Sequence, residues 1–126
     1  AGQSWQRLDE FYNGSLFDIH RSSQGTLLVA GLRGNVFRST DDGQNWQIID
    51  IPHEATLNSI FEDSAANLYL TGNAGTLLKS TDDGQHFTDL TQADGRAILN
   101  GLALSSDRLL LVTETGIKLI STSKSE

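Results

Sequence analysis

The octapeptide Ser39-Thr40-Asp41-Asp42-Gly43-Gln44-Asn45-Trp46 returns 41 residues later as Ser80-Thr81-Asp82-Asp83-Gly84-Gln85-His86-Phe87. A near-identical segment at a fixed spacing of this size marks a repeat architecture, in which each unit buries its apolar face only against its neighbours. The period runs past these two segments. Gly2-Gln3-Ser4-Trp5-Gln6 lies 41 residues before Gly43-Gln44-Asn45-Trp46-Gln47. The heptapeptide Gly34-Asn35-Val36-Phe37-Arg38-Ser39-Thr40 matches residues 75–81 and, less closely, residues 116–122. After that third copy, Ser123 and Lys124 stand where the aspartates would be. The chain therefore reads as one domain, 1–126, with repeats at 10–50, 51–91 and 92–126 plus 1–9.

Each repeat resolves into four short strands between turn signals. First strands are expected at 16–21, 57–62 and 99–104, second strands at 26–30, 68–71 and 109–112. Third strands are expected at 35–39, 76–80 and 117–121, fourth strands at 47–50 and 88–90 with a copy at 6–9. Helices are not expected, because Gly, Thr and Ser interrupt every segment and the apolar residues lack a 3.6-residue period. The second strands are nearly all apolar, which predicts sheets covered on both faces. The fourth strands carry charge, with Arg7, Asp50 and Asp89 among them, and charge suits an outer edge.

The repeated octapeptide reads S-x-D-x-G-x-x-[W/F] and resembles the Asp-box of bacterial neuraminidase-type repeats. The resemblance implies an all-β fold, a β-propeller segment of three four-stranded antiparallel blades. The N-terminal strand is then expected as the fourth strand of a closing blade. Three blades fall short of the four to eight of a usual ring. Either the chain is part of a longer propeller, or copies associate into a homo-oligomer, two of them giving six blades. The chain begins without Met, which implies processing or a fragment.

In the box itself, Asp41 and Asp82 are expected to accept hydrogen bonds from nearby backbone N–H groups in an Asx-type turn. Gly43 and Gly84 supply positive φ. Ser39 and Ser80 bond back across the turn, and Trp46 and Phe87, with Trp5, pack over the hairpin. These roles are structural. Calcium is the alternative, but an EF-hand loop closes with Glu at its twelfth position. Counting from Asp41 and Asp82, that position holds Pro52 and Ala93. No metal or other cofactor is expected.

Composition narrows the partner. The formal net charge is −7, which disfavours nucleic acid and anionic membrane surfaces, both of which need clustered Lys and Arg. No apolar run reaches membrane-spanning length, so no membrane insertion is expected. The chain has no Cys, which removes disulfides and thiolate sites and fits an exported protein.

Asp-box propellers include sialidases, whose family pattern requires an arginine triad, a Tyr with a Glu partner, and an Asp acid/base. Here the arginines do not recur at equivalent strand positions, and Tyr69 sits in an apolar strand that predicts core. His20, His53 and His86 lack metal-ligand spacing. The chain is therefore expected not to be an enzyme. The alternative class is a carbohydrate-binding or sialidase-like glycoside hydrolase propeller fragment.

Within the Asp-box group, the unit G-x-[VL]-[FL]-[RK]-S-T-D-D-G-x-x-[WF] resembles the Ycf48-like proteins over nearly the whole chain. The resemblance implies a non-enzymatic scaffold that binds protein partners outside the cytoplasm, in a periplasmic or similar compartment. Photosynthetic members use an arginine-rich patch, which this acidic chain lacks. The expected binding face is the one formed by second-to-third strand turns and inter-blade links. There the tips vary between repeats: Leu32-Arg33, Asn73-Ala74 and Glu114-Thr115. The links add Tyr12, Asn13, His53, Glu54 and Arg96. Retained turns beside varied tips mark a candidate protein-partner surface at Arg33, Asn73, Glu114, His53, Glu54 and Arg96.

Overall fold

The computed structural model describes residues 5–6 and 14–122 of the chain. Among them the regular structure is antiparallel sheet, apart from two 3-10 turns at Leu32–Gly34 and Asn73–Gly75. The first sheet joins β2 (Leu16–Arg21), β3 (Leu27–Gly31), β4 (Val36–Ser39) and β5 (Trp46–Ile48) in chain order, with β1 (Trp5–Gln6) beyond β5. The second holds β6 (Leu57–Glu62), β7 (Leu68–Gly72), β8 (Leu77–Ser80) and β9 (Thr88–Asp89). The third holds β10 (Ile98–Ser105), β11 (Arg108–Thr113) and β12 (Gly116–Ser121). From β2 to β12 the strands lie within one or two residues of the positions read from the sequence.

The sheets stack as blades. Leu28, Ala30 and Val36 of the first blade meet Leu57, Ile60, Leu68, Leu70 and Leu78 of the second. Phe61, Tyr69 and Leu77 of the second meet Ile98, Leu109 and Leu111 of the third. Each fully buried leucine contributes about 1.5–3 kcal/mol by leaving water. Phe61 and Tyr69 stack with centroids 5.1 Å apart. Every residue of β7 is buried, because blades cover the second sheet on both sides. The strand at 109–112 departs from that expectation: Val112 is 44% exposed. No further blade covers the third sheet's outer face among the described residues.

The N-terminal strand also sits elsewhere than expected. Trp5 pairs with Gln47 and Gln6 with Trp46, so it extends the first blade, and the third has three strands among the described residues. Packing runs from first blade to second and from second to third, without extensive contact between first and third among the described residues. The third blade's edge is therefore out of reach of the first, while β5 offers an adjacent edge. The Trp5 side chain, Arg7, Tyr12, Asn13 and the positions of Ser123 and Lys124 lie outside the described residues.

The third blade also pairs in a different register. Five residues, 31–35, separate the paired Ala30 and Val36, and five, 72–76, separate Thr71 and Leu77. Only four, 113–116, separate Val112 and Ile117. The wide turns depend on glycine. A Cβ on Gly31 would lie 2.2 Å from the Ser15 carbonyl oxygen, and one on Gly72 would lie 2.2 Å from that of Thr56. The third repeat has Thr113 there, and its hairpin closes through the tighter Glu114-Thr115 turn. A one-residue slip exchanges the faces of a strand. Ile117 and Leu119 consequently point outward, 72% and 52% exposed, while Ile120 packs inward.

Candidate partner-binding face

The turns between second and third strands share one architecture in the first two blades. Arg33 (φ 59°) and Ala74 (φ 58°) occupy left-handed backbone at the tips. Asn35 donates from Nδ2 to the Leu32 carbonyl at 2.8 Å, and Thr76 donates from Oγ1 to the Asn73 carbonyl at 2.7 Å. Each tip is also fastened to the strand that opens its blade. The amides of Leu32, Asn73 and Glu114 donate to the carbonyls of Ser15, Thr56 and Ala97. The tips are therefore held by backbone bonds, which leaves their side chains open to vary.

The inter-blade links pass against these turns. A Cβ on Gly34 would lie 2.3 Å from the His53 carbonyl oxygen and 3.2 Å from the Glu54 Cα. This close approach brings Arg33, His53 and Glu54 to one part of the rim. At the next turn Gln92 N–H donates to the Gly75 carbonyl at 2.8 Å, which places Asn73 beside the link that leads to Arg96. Glu114 Oε2 accepts from the Ala97 amide at 3.3 Å, so Glu114 lies next to Arg96 in turn. Arg33, Asn73, Glu114, Glu54 and Arg96 are exposed. His53 is half-buried: its Nε2 lies 3.0 Å from Asp89 Oδ2 and 3.1 Å from Thr91 Oγ1. The hydrogen bonds from Thr91 and His53 hold the Asp89 carboxyl below its usual range despite some desolvation. Asp94 is likewise lowered, by the Arg96 amide and then by Lys118 Nζ at 3.0 Å.

On the opposite side lie the S-x-D-x-G hairpins. Ser39 Oγ donates to Asp41 Oδ1 at 2.8 Å and accepts from the Gly43 amide at 2.9 Å. Asp41 accepts from the Asn45 amide and from Asn45 Nδ2, each at 2.9 Å. Trp46 Nε1 donates to the Gly43 carbonyl at 2.9 Å. Ser80, Asp82 and Gly84 repeat the pattern, with Ser80 Oγ bonding to Asp82 Oδ1 at 2.8 Å and to the Gly84 amide at 2.9 Å. Phe87 packs against the core between the first two blades. His86 is exposed, with Nδ1 2.6 Å from Asp82 Oδ2. These donors hold Asp41 down to about 2, the Asn45 amide foremost. Burial pushes Asp82 up, but the bonds from His86 and Ser80 outweigh it.

The sequence did not single out the carboxylates that bridge blades. Asp83 accepts from Thr26 Oγ1 and receives the Arg38 guanidinium at 3.3 Å, all three buried. Asp18 Oδ2 accepts from the Ile60 amide at 2.8 Å. Glu62 lies 2.9 Å from His20 Nε2 and accepts from the Ser23 amide. Burial raises the Glu62 carboxyl, yet these donors bring it below its usual range. The partners are 39 to 57 positions apart, and only the period of 41 hints at them. Tyr69, expected in the core, is fully buried and donates to Asp63 Oδ2 at 2.7 Å.

Known structures share this architecture. "YCF48 from Cyanidioschyzon merolae" superposes with a TM-score of 0.77 at 21% identity, over 97% of this chain and 38% of that one. A structure described as "YCF48 bound to D1 peptide" gives 0.73 at 21% identity, over 90% and 39%. Virginiamycin B lyase from Staphylococcus aureus gives 0.60 at 16% identity, over 93% and 44%. The chain thus spans about two-fifths of the length of the structures it matches, and the likeness is one of fold. Comparison with curated protein sequences gives no match. A family model described as the DUF6242 beta propeller domain matches residues 21–126, five-sixths of the sequence. The fold is thus a β-propeller of the Ycf48-like kind, and the chain belongs to the DUF6242 beta propeller domain family.

Proposed function

We propose that this chain is a non-enzymatic scaffold that binds a protein or peptide partner outside the cytoplasm. The observation that carries this reading is the rim where Arg33, Glu54, Arg96 and Glu114 are exposed on backbone-fastened turns and links. Rigid turns lower the ordering cost of binding, and side chains of both signs supply register to a polar partner. A fold relative that holds a peptide supports the same reading. The absence of Cys fits an exported protein. The unit works within a completed ring, formed either by further copies or by further blades of a longer chain.

The test is a pull-down from the source organism's envelope fraction with the wild-type chain and the triple variant Arg33→Ala, Glu54→Ala, Arg96→Ala. Loss of one specific partner with an unchanged melting temperature is expected. Equal recovery of that partner by both proteins rejects this rim as the binding face.

A further inference from the structure

The two ends of the blade stack carry exposed aliphatic residues at positions that the inner seams bury. Ile60 is 6% exposed in the first seam, whereas Ile19, 41 positions earlier, is 60% exposed on the first blade's outer side. On the third blade Val112 is 44% exposed, whereas its equivalents Ala30 and Thr71 are fully buried. The register slip adds Ile117 and Leu119 to the same outer face, beside Leu102 and Leu110. A contiguous apolar face of this kind is rare on a free surface. One end has the strand positions with which a blade meets its predecessor, and the other has those with which it meets its successor.

Charge follows the same arithmetic. In the first seam Asp83 of the later blade docks on Thr26 and Arg38 of the earlier one. Asp42 is the counterpart of Asp83, 41 positions earlier, and has the same backbone, with φ of 61° against 62°. Its side chain is 77% exposed and, among the described residues, its ion pair is with the exposed Arg21, at 3.1 Å. Arg108 is the counterpart of Thr26, 82 positions later, and is exposed without an ion pair among the described residues. A basic group thus stands at one end of the stack where the other end offers a carboxylate.

We propose that copies of this chain associate head to tail, the third blade of one against the first blade of the next, with Arg108 meeting Asp42 across the new seam. The contact continues the blade-on-blade packing of the two inner seams. It is heterologous, and heterologous contacts close into rings when the rotation allows. Two copies supply six blades, within the usual range of four to eight. This makes specific the completed ring proposed above and is independent of the partner-binding rim.

Sedimentation velocity on the full chain tests it, because the rim variants leave this seam untouched and partner capture does not enter the readout. The wild type is expected at twice the 13.7 kDa chain mass. Leu119→Lys should yield monomer, and Arg108→Asp and Asp42→Arg should each weaken association by about tenfold or more. Mixing these two charge variants should restore the pair, since both seams of the mixed pair then join Arg to Asp. Circular dichroism confirms that each variant is folded. A wild type that stays at the single-chain mass, as it would if further blades of a longer chain cover these faces, overturns the proposal. So does a mixture that fails to recover.

Discussion

Arg38 and Asp83 form a buried ion pair across the seam of the first two blades, Nη2 3.3 Å from Oδ2, with Arg38 Nε also donating to the Asp83 carbonyl at 2.9 Å. Asp42 occupies the same place in the preceding hairpin but pairs on the surface with Arg21. Removing one partner of a buried pair leaves a charge uncompensated, while a surface pair is worth little. Asp83→Asn should therefore cost about 2–5 kcal/mol and Asp42→Asn at most about 1 kcal/mol. Urea unfolding of the two variants, at a concentration low enough to keep the chains separate, makes the comparison. Equal losses would contradict the assignment.

Gly72 owes its identity to a close approach. Its φ of −167° suits any residue, but an added Cβ would meet the Thr56 carbonyl oxygen at 2.2 Å. Gly72→Ala should destabilise by about 2 kcal/mol or more through backbone displacement. Gly25 offers the contrast, with open space around it and φ of +91°. Gly25→Ala should cost only about 1–2 kcal/mol, the ordinary strain of left-handed backbone. Thermal melts rank the two.

Acid should loosen the first hairpin late. Asp41 is held from 3.8 down to about 2 by Asn45 and Ser39. A depressed folded value means the unfolded chain binds this proton at higher pH, so stability rises with pH across the window. The contribution is complete above the unfolded value and is lost as pH falls through about 2. Carboxyl carbon chemical shifts should give Asp41 a midpoint near 2, and a midpoint at 3.8 would refute the hydrogen-bonded turn. Asp41→Asn should abolish this part of the pH dependence.

Tyr69 donates to Asp63 inside the second core. Burial, and then the Asp63 carboxylate, hold its phenol well above the ordinary range. Its ultraviolet absorbance should therefore show no ionisation near pH 10 while the chain is folded. Tyr69→Phe should cost about 1–2 kcal/mol, because Asp63 keeps the Asn67 and Ala65 amides as donors. A larger loss in chemical denaturation would mean that the hydroxyl carries more than this bond.

The repeat carried most of the architecture because it is a local signal. Turn signals on either side, repeated with the period, placed β2 and β6 at their observed bounds. The third blade was harder to read. Gly116-Ile117-Lys118-Leu119 aligns without a gap on residues 75–78, yet Thr113 in place of glycine moves the register, and sequence alignment does not show which face a slipped strand presents. The first strand was placed by counting strands, whereas its pairing depends on which edge lies within reach. The turn tips and inter-blade links were placed because turn residues are legible from composition. The cross-blade partners of Asp83, Asp18 and Glu62 were not, because nothing local to a carboxylate says which neighbouring sheet it will touch.

The two seams are fastened unequally, and this gives the stack a weak end. The first holds the Arg38–Asp83 pair, the Asp18–Ile60 bond and the His20–Glu62 contact. Across the second, Asn58 donates to the Ile98 carbonyl at 3.0 Å, and no ion pair crosses it among the described residues. Repeat stacks fray at their least secured interface. Amide exchange should accordingly run faster through β10 to β12 than through β6 to β8. In the separate chain, under load or mild heating, the stack should shed its last unit while the first two remain joined.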